Sequence, residues 1–143
     1  MTHALLLLFP LLAAPQGGPD EQYQFVIGLA EKGLHDQVVR EAEDFLSSYP
    51  DHPKAVPTRY RLAAAQYSLG ALDDAREELD EAIRLQPDHG PAYAARALIH
   101  LRQSRVEEAI KDCDRALRAD SGLLQAHVVK GLTLAACLNN REA

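Results

Sequence analysis

The sequence has little of what builds catalytic and metal sites. It contains only two cysteines among its 143 residues, too few for a cysteine-rich metal site. It lacks a glycine-rich phosphate loop, a His-Glu-x-x-His motif and a Gly-x-Ser-x-Gly motif. Paired carboxylates such as Asp73 and Asp74 are neighbours at the predicted solvated start of a helix, an arrangement that does not suit acid-base work. We therefore predict no catalytic residue, no metal site and no cofactor, so the chain is not expected to be an enzyme.

An excess of positive charge is also missing. Fifteen Lys and Arg face 21 Asp and Glu, which gives a formal net charge of −6. Because binding to phosphates requires a basic face, nucleic acid is not an expected partner. No Gly/Ser linker or low-complexity tract divides the chain, so we expect a single domain after the leader.

No apolar run is long enough to span a bilayer. The longest extends from Ala4 to Ala14 and gives way to polar sequence at Gln16, whereas a transmembrane helix needs about 20 residues. Its length fits the core of a secretory signal, so we predict a signal peptide or leader at residues 1–18 and export to the periplasm or cell surface. The alternative is a cytoplasmic protein whose leader is not functional or whose start codon is misassigned.

What the sequence does have is an internal repeat. The segment from Gly70 to Pro87 recurs in register from Ser104 to Ser121, a shift of 104 − 70 = 34 positions. Apolar residues within it recur at three- and four-residue steps, as in an amphipathic helix. A period of this length is typical of helical solenoids, in which each unit buries its apolar face against a neighbour. Breakers and period predict helices at about 20–32, 34–49, 54–69, 72–85, 91–103, 106–119 and 123–138.

The repeat resembles the tetratricopeptide repeat (TPR) family. The resemblance is carried by small residues in the first helices (Ala63, Ala97 and Gly131) and by turn residues (Gly33, Gly70 and Ser104). It is also carried by alanines in the second helices (Ala75, Ala82, Ala109 and Ala116) and by terminal prolines (Pro50 and Pro87). It departs from the family pattern at Val38 and Phe45, which replace alanines of the first unit, and at Leu138, where a turn glycine is expected.

The fold implied by this resemblance is all-α, a right-handed α-α superhelix of about three and a half helix-turn-helix repeats. The array would occupy residues 19–143, with units at about 19–53, 56–89, 90–123 and a partial unit at 124–143.

The resemblance also places the first helices on a concave surface that binds a protein or an extended peptide. Aromatic and Arg side chains dominate the energetics of interfaces. The candidate partner-binding residues are Tyr23, Tyr60, Arg61, Tyr67, Leu98, Arg102 and Val128. Family members that clamp a chaperone's C-terminal carboxylate use paired Lys, Asn and Arg, but Tyr60, Ala64, Pro91, Ala95, Gln125 and Val129 stand in those slots here. Chaperone tails and small-molecule substrates are therefore not expected ligands.

The predicted function is that of a noncatalytic interaction scaffold. The first unit resembles repeats of bacterial envelope proteins such as the Tol-Pal coordinator, which favours the cell envelope. The alternative is the N-terminal interaction module of a larger enzyme. Apolar residues on several sides of the last helix, among them Leu134 and Leu138, indicate further repeats in a longer chain, or self-association or a partner at that helix.

We predict structural roles for two histidines and for both cysteines. His52 and His89 each follow a Pro-Asp pair in the same position of successive repeats, which indicates turn chemistry and no metal site. We expect Cys113 and Cys137 to be small buried apolar residues, with a disulfide as the alternative.

Overall fold

The computed structural model describes residues 16–141, and all regular structure in this range is α-helical. The seven helices are α1 Pro19–Glu31, α2 His35–Ser48, α3 Ala55–Ser68, α4 Leu72–Leu85, α5 Gly90–Arg102, α6 Val106–Ala119 and α7 Leu124–Arg141. Every predicted boundary lies within three residues of the observed one. Most of the predicted leader, residues 1–15, lies outside the described residues.

The helices stack as hairpins along the chain. Each helix packs on its successor, and the first helices also contact each other in the order α1, α3, α5 and α7. Within residues 16–141 the second helices α2, α4 and α6 make no such contacts with one another. Because one layer is closely packed and the other is splayed apart, the array curves with its first helices on the inside.

Alanines set the close approach of the two helices in each hairpin. On α4, Ala75, Leu79 and Ala82 are buried, and on α6 the equivalent buried residues are Ala109, Cys113 and Ala116. Cys113 and Cys137 are both free, and burial raises the pKa of the Cys113 thiol to about 11. Cys113 is therefore the buried apolar residue that was predicted, and its thiolate is suppressed at neutral pH. Cys137 is only partly buried, so the same prediction is wrong for Cys137.

The first hairpin has a bulkier core than the others. Phe45 is fully buried, and its ring centroid lies 6.4 Å from that of Tyr23 and 5.3 Å from that of Tyr49. His52 approaches the same ring edge-on at 5.9 Å. An aromatic cluster thus replaces the small-residue contact of the later repeats.

The turns inside the hairpins depend on left-handed backbone. Gly33, Gly70 and Ser104 have φ of 68°, 83° and 60°. After each of them an N–H bonds back across the turn, as from Arg105 to the carbonyl of His100 at 2.8 Å. This is the hydrogen bond of a helix C-cap, which usually employs glycine because a Cβ is strained at positive φ.

Replacing Ser104 by glycine should therefore raise the free energy of unfolding by about 1 kcal/mol, since it removes left-handed strain. Ser47→Gly, at an exposed position in the last turn of α2, is the matched control and should lower the free energy of unfolding by up to about 0.5 kcal/mol. Urea denaturation of both variants measures the difference, and destabilisation by Ser104→Gly would contradict the strain argument.

A charged network ties α4, α5 and α6 together. Arg96 donates from Nε and Nη2 to the two carboxylate oxygens of Asp112 at 2.7 and 2.8 Å, and from Nη1 to Asp80 at 2.7 Å. Asp112 is only 4% exposed. One period later, Asp114 and Lys130 repeat the contact of Asp80 and Arg96, at 2.7 Å. The repeats are thus joined by ion pairs in register as well as by apolar packing.

Two further features of the described residues bear on function. None of the helices in this range combines the length and apolar character needed to cross a membrane. Between residues 16 and 141 no three His, Cys, Asp or Glu side chains are grouped so as to hold a metal ion.

Candidate functional site

A recess lies between α3 and α5 on the concave side of the array. Its volume is about 180 Å³ and it is partly open to solvent. Most of its lining comes from the two first helices, with one residue each from α4 and α7: Tyr60, Ala63, Ala64, Tyr67, Ser68, Leu79, Ala95, Leu98, Ile99 and Gln125. The recess is therefore a mainly apolar feature of the inner surface.

Helical spacing explains how the recess forms. Tyr60, Ala64 and Tyr67 follow one another at steps of four and three residues, so they share one face of α3. Ala95 and Leu98 do the same on α5. The two alanines leave space where larger side chains would meet, and the two tyrosines form the walls on either side of Ala64.

One end of the recess is closed by polar contacts. The Tyr60 hydroxyl donates to Oε1 of Gln125 on α7 at 3.3 Å, which joins helices two repeats apart. The Tyr60 ring also lies 5.9 Å from the His89 ring. Nδ1 of His89 accepts the N–H of Ala92 at 3.1 Å, so His89 caps α5. Burial is the main cause that lowers the pKa of His89, so the imidazole is neutral at pH 7 and can accept this bond.

His52 also accepts a backbone N–H in the preceding inter-repeat turn, although it does not cap α3. Its Nδ1 accepts the N–H of Lys54 at 3.1 Å. The prediction that both histidines serve turn chemistry is confirmed.

The other end of the recess has a positive charge. The guanidinium of Arg102 lies 4.9 Å from the centroid of the Tyr67 ring, a cation-π geometry. Arg102 is exposed, and it forms no ion pair with any residue in the range 16–141. Its charge is therefore available to a ligand.

The structure brings four of the seven predicted binding residues together. Tyr60, Tyr67 and Leu98 line the recess directly, and Arg102 stacks on Tyr67. They come from two helices, so only the packing of α3 against α5 assembles them.

The other three predicted residues lie elsewhere. Tyr23 is 9% exposed and packs on Phe45, with Nζ of Lys54 5.3 Å from its ring centroid, so in this structure it is a core residue of the first hairpin. Arg61 is half-buried on α3 next to Tyr60 but does not line the recess. Val128 is 53% exposed on α7, one period beyond Ala94 and two beyond Tyr60.

Sequence reasoning missed Gln125 as part of the recess, because it considered Gln125 only as a position where a carboxylate clamp is absent. The family resemblance places Ala95 on the concave surface, but Ala95 was not among the candidate binding residues. Nothing in the sequence showed that Gln125 reaches Tyr60.

Helix α7 exposes an unusual amount of apolar surface. Among residues 16–141, five of the eight exposed large apolar residues belong to it: Leu124, Val128, Leu132, Leu134 and Leu138. The predicted apolar exposure of the last helix is therefore present in the structure.

Comparison with known proteins establishes the family. The family model described as Tetratricopeptide repeat matches residues 26–88 and again residues 60–123, so the two matches together cover more than half of the chain. The chain belongs to the tetratricopeptide repeat family. The all-α superhelix predicted from the resemblance is thereby confirmed together with the helical structure.

This TPR chain is similar to the Tetratricopeptide repeat protein 36 of Bos taurus, with 31% identity over 104 residues. The match covers 73% of the chain and 54% of the bovine protein, so the chain spans about half the length of that curated relative.

Solved TPR domains share the fold at low identity. The TPR domain of Sgt2 from Aspergillus fumigatus superposes with a TM-score of 0.79 at 14% identity, covering 91% of this chain and 85% of that one. The second TPR domain of human RPAP3, determined with an HSP70 peptide, gives a TM-score of 0.71 at 18% identity, covering 81% and 98%.

Proposed function

We propose that this TPR chain is a noncatalytic scaffold that binds an extended segment of a partner protein on the concave face of α3 and α5. The observation that carries the proposal is the open, mainly apolar recess bounded by Tyr60, Tyr67 and Leu98. Support comes also from the RPAP3 domain, which shares the fold and was determined with a bound peptide.

The side chains at the recess suit an interface. Tyr and Arg combine apolar contact with directed hydrogen bonds, and they are enriched among residues that dominate binding energy. Tyr67 and Arg102 are already stacked, so less side-chain entropy would be lost when a partner binds.

The partner we propose differs from a chaperone C-terminal tail. The family's carboxylate clamp needs a cluster of basic and amide side chains, but Tyr60, Ala64 and Ala95 line an apolar recess at these slots. An apolar recess favours a peptide with an apolar side chain at this point.

Blocking the recess should strongly weaken binding without unfolding the chain. Ala64 is exposed and lines the recess, so Ala64→Phe fills it from the rim without entering the core. Ala119→Phe, at an exposed position at the end of α6, is the matched control. Peptides selected from a displayed random library on the native chain should bind the control normally and lose at least about tenfold in affinity for Ala64→Phe.

A second variant tests the predicted arginines. Arg61→Ala combined with Arg102→Ala should weaken the selected peptides while the melting temperature stays nearly unchanged. If both the Ala64→Phe and the double arginine variants bind every selected peptide as the native chain does, the groove assignment is wrong.

We also propose that the chain is exported, as an envelope scaffold in a bacterial setting. The support is the apolar run Ala4–Ala14 followed by polar sequence; this run lies outside the described residues, and the likeness of the first unit to Tol-Pal coordinator repeats remains a prediction. Mass spectrometry of the native protein should find an N-terminus near residue 19. An intact N-terminus at Met1 or Thr2 on cytoplasmic protein would refute export.

A further inference from the structure

We infer that the recess is a pocket for one aromatic side chain of the partner, and that a carboxylate next to this side chain pairs with Arg102. The inference rests on the proposed function and specifies the chemistry of its ligand. It makes the preferred peptide one in which an aromatic residue is adjacent to Asp, Glu or a C-terminal carboxylate.

The size of the recess matches one ring. An engineered apolar cavity of about 150 Å³ in another protein holds a benzene molecule, and the volume here is about 180 Å³. A ring entering between Tyr60 and Tyr67 would meet two aromatic walls and the methyl groups of Ala64 and Ala95. Offset or edge-to-face contact of aromatic rings adds to the free energy of burial.

The hydroxyl groups in the lining of the recess already have hydrogen-bond partners within the chain. The Tyr60 hydroxyl is engaged with Gln125, and the hydroxyl of Ser68 donates to the carbonyl of Ala64 at 3.1 Å. Inserting a ring therefore leaves these hydrogen bonds in place, so it incurs little desolvation cost at these groups.

The charge at the recess selects an acidic neighbour. Arg102 lies on the wall residue Tyr67 without a carboxylate partner among residues 16–141, and no acidic residue lines the recess. A carboxylate placed there gains a charge-assisted hydrogen bond, whereas an ammonium group meets a like charge. The chain as a whole is acidic, with 21 carboxylates against 15 Lys and Arg. The preference for an anion is therefore local to Arg102.

Small-molecule probes can test the contributions of the aromatic ring and of the carboxylate separately. We would titrate the 143-residue chain with indole-3-propionate, tryptamine and propionate, and follow resonances of Tyr60, Tyr67 and Leu98 by NMR. Indole-3-propionate should shift these resonances and bind at least about fivefold more tightly than tryptamine, since one charge-assisted contact is replaced by repulsion. Propionate, which has no ring, should leave them unshifted at the same concentrations.

Three variants complete the test. Arg102→Gln should remove the advantage of indole-3-propionate over tryptamine, Arg102→Lys should retain much of it, and Ala64→Leu should prevent binding of both indoles. Arg40→Gln, at an exposed position on α2 away from the recess, is the control and should change nothing.

Two results would overturn the inference. Equal affinity of the native chain for the two indoles would refute the pairing of a carboxylate with Arg102. Shifts confined to exposed apolar residues of α7 would refute the aromatic pocket. The proposed function can fail separately, because it is tested by the selected peptides: indoles that bind a recess to which no peptide binds would support the pocket and refute the scaffold.

Discussion

Replacing Asp112 by asparagine should lower the free energy of unfolding by about 3 kcal/mol. The carboxylate is almost fully buried and receives two hydrogen bonds from the Arg96 guanidinium. The amide of asparagine cannot accept both bonds, which leaves the buried charge of Arg96 only partly compensated. Nε2 of His100 lies 3.6 Å from the same carboxylate. Burial is the main cause that lowers the pKa of His100, so the neutral imidazole neither compensates the charge of Arg96 nor adds a second positive charge beside it.

Asp80→Asn is the matched control, because it changes the other carboxylate that contacts Arg96. The Asp80 side chain is 51% exposed, so the loss should stay below about 1 kcal/mol. A double variant, Arg96→Leu with Asp112→Leu, should recover most of the stability, since replacing both partners of a buried ion pair is often neutral. Leucine is the residue one period before Arg96, at Leu62. Equal losses for Asp112→Asn and Asp80→Asn in chemical denaturation would contradict this account.

Phe45→Ala should lower the free energy of unfolding by about 3–5 kcal/mol although it introduces the residue found at the equivalent Ala82 and Ala116. Phe45 is exposed neither to solvent nor to the concave face, because its ring is buried among Tyr23, Tyr49 and His52. Truncation leaves a cavity that these rings cannot fill by small adjustments.

The reciprocal substitution, Ala82→Phe, tests whether the preferred residue at this repeat position depends on the packing of each hairpin. Ala82→Phe places the first hairpin's residue in the second, where Ala75 and Leu79 leave no space for a ring, so it should destabilise by about 1–3 kcal/mol or more. If Phe45→Ala were neutral, the aromatic cluster would not be the core of the first hairpin.

The fold was largely predictable because the repeat is determined by local sequence patterns. The positive φ of Gly33 and Gly70 follows from their residue type, and the alanines of α4 and α6 report close helix packing. Ser104 could be placed in the same turn only through its register, since serine has no intrinsic preference for positive φ.

The site was predictable only in part, because it depends on distances between helices. Register placed Tyr60, Tyr67, Leu98 and Arg102 on the inner face, and in the structure they lie together at the recess. It also placed Tyr23 there, and it could not show that Phe45 draws this ring into the core. The contact of Tyr60 with Gln125 joins residues 65 positions apart, so no local pattern reveals it.

Charged contacts between helices were beyond sequence reasoning for a related reason. Asp80 and Asp114 occupy equivalent positions, but only the packing of α4 on α5 and of α6 on α7 shows that Arg96 and Lys130 face them. The burial of Asp112 has no signature in the sequence, because the equivalent residue, Glu78, pairs with Arg59 at a more exposed position.

The central claim is that the inner face of α3 and α5 binds a partner peptide. The most direct measurement is NMR mapping of the native chain with a peptide selected from the displayed library. We predict that the largest perturbations fall on Tyr60, Tyr67, Leu98 and Arg102. Perturbations confined to the outer helices α4 and α6, with these four residues unchanged, would contradict the claim.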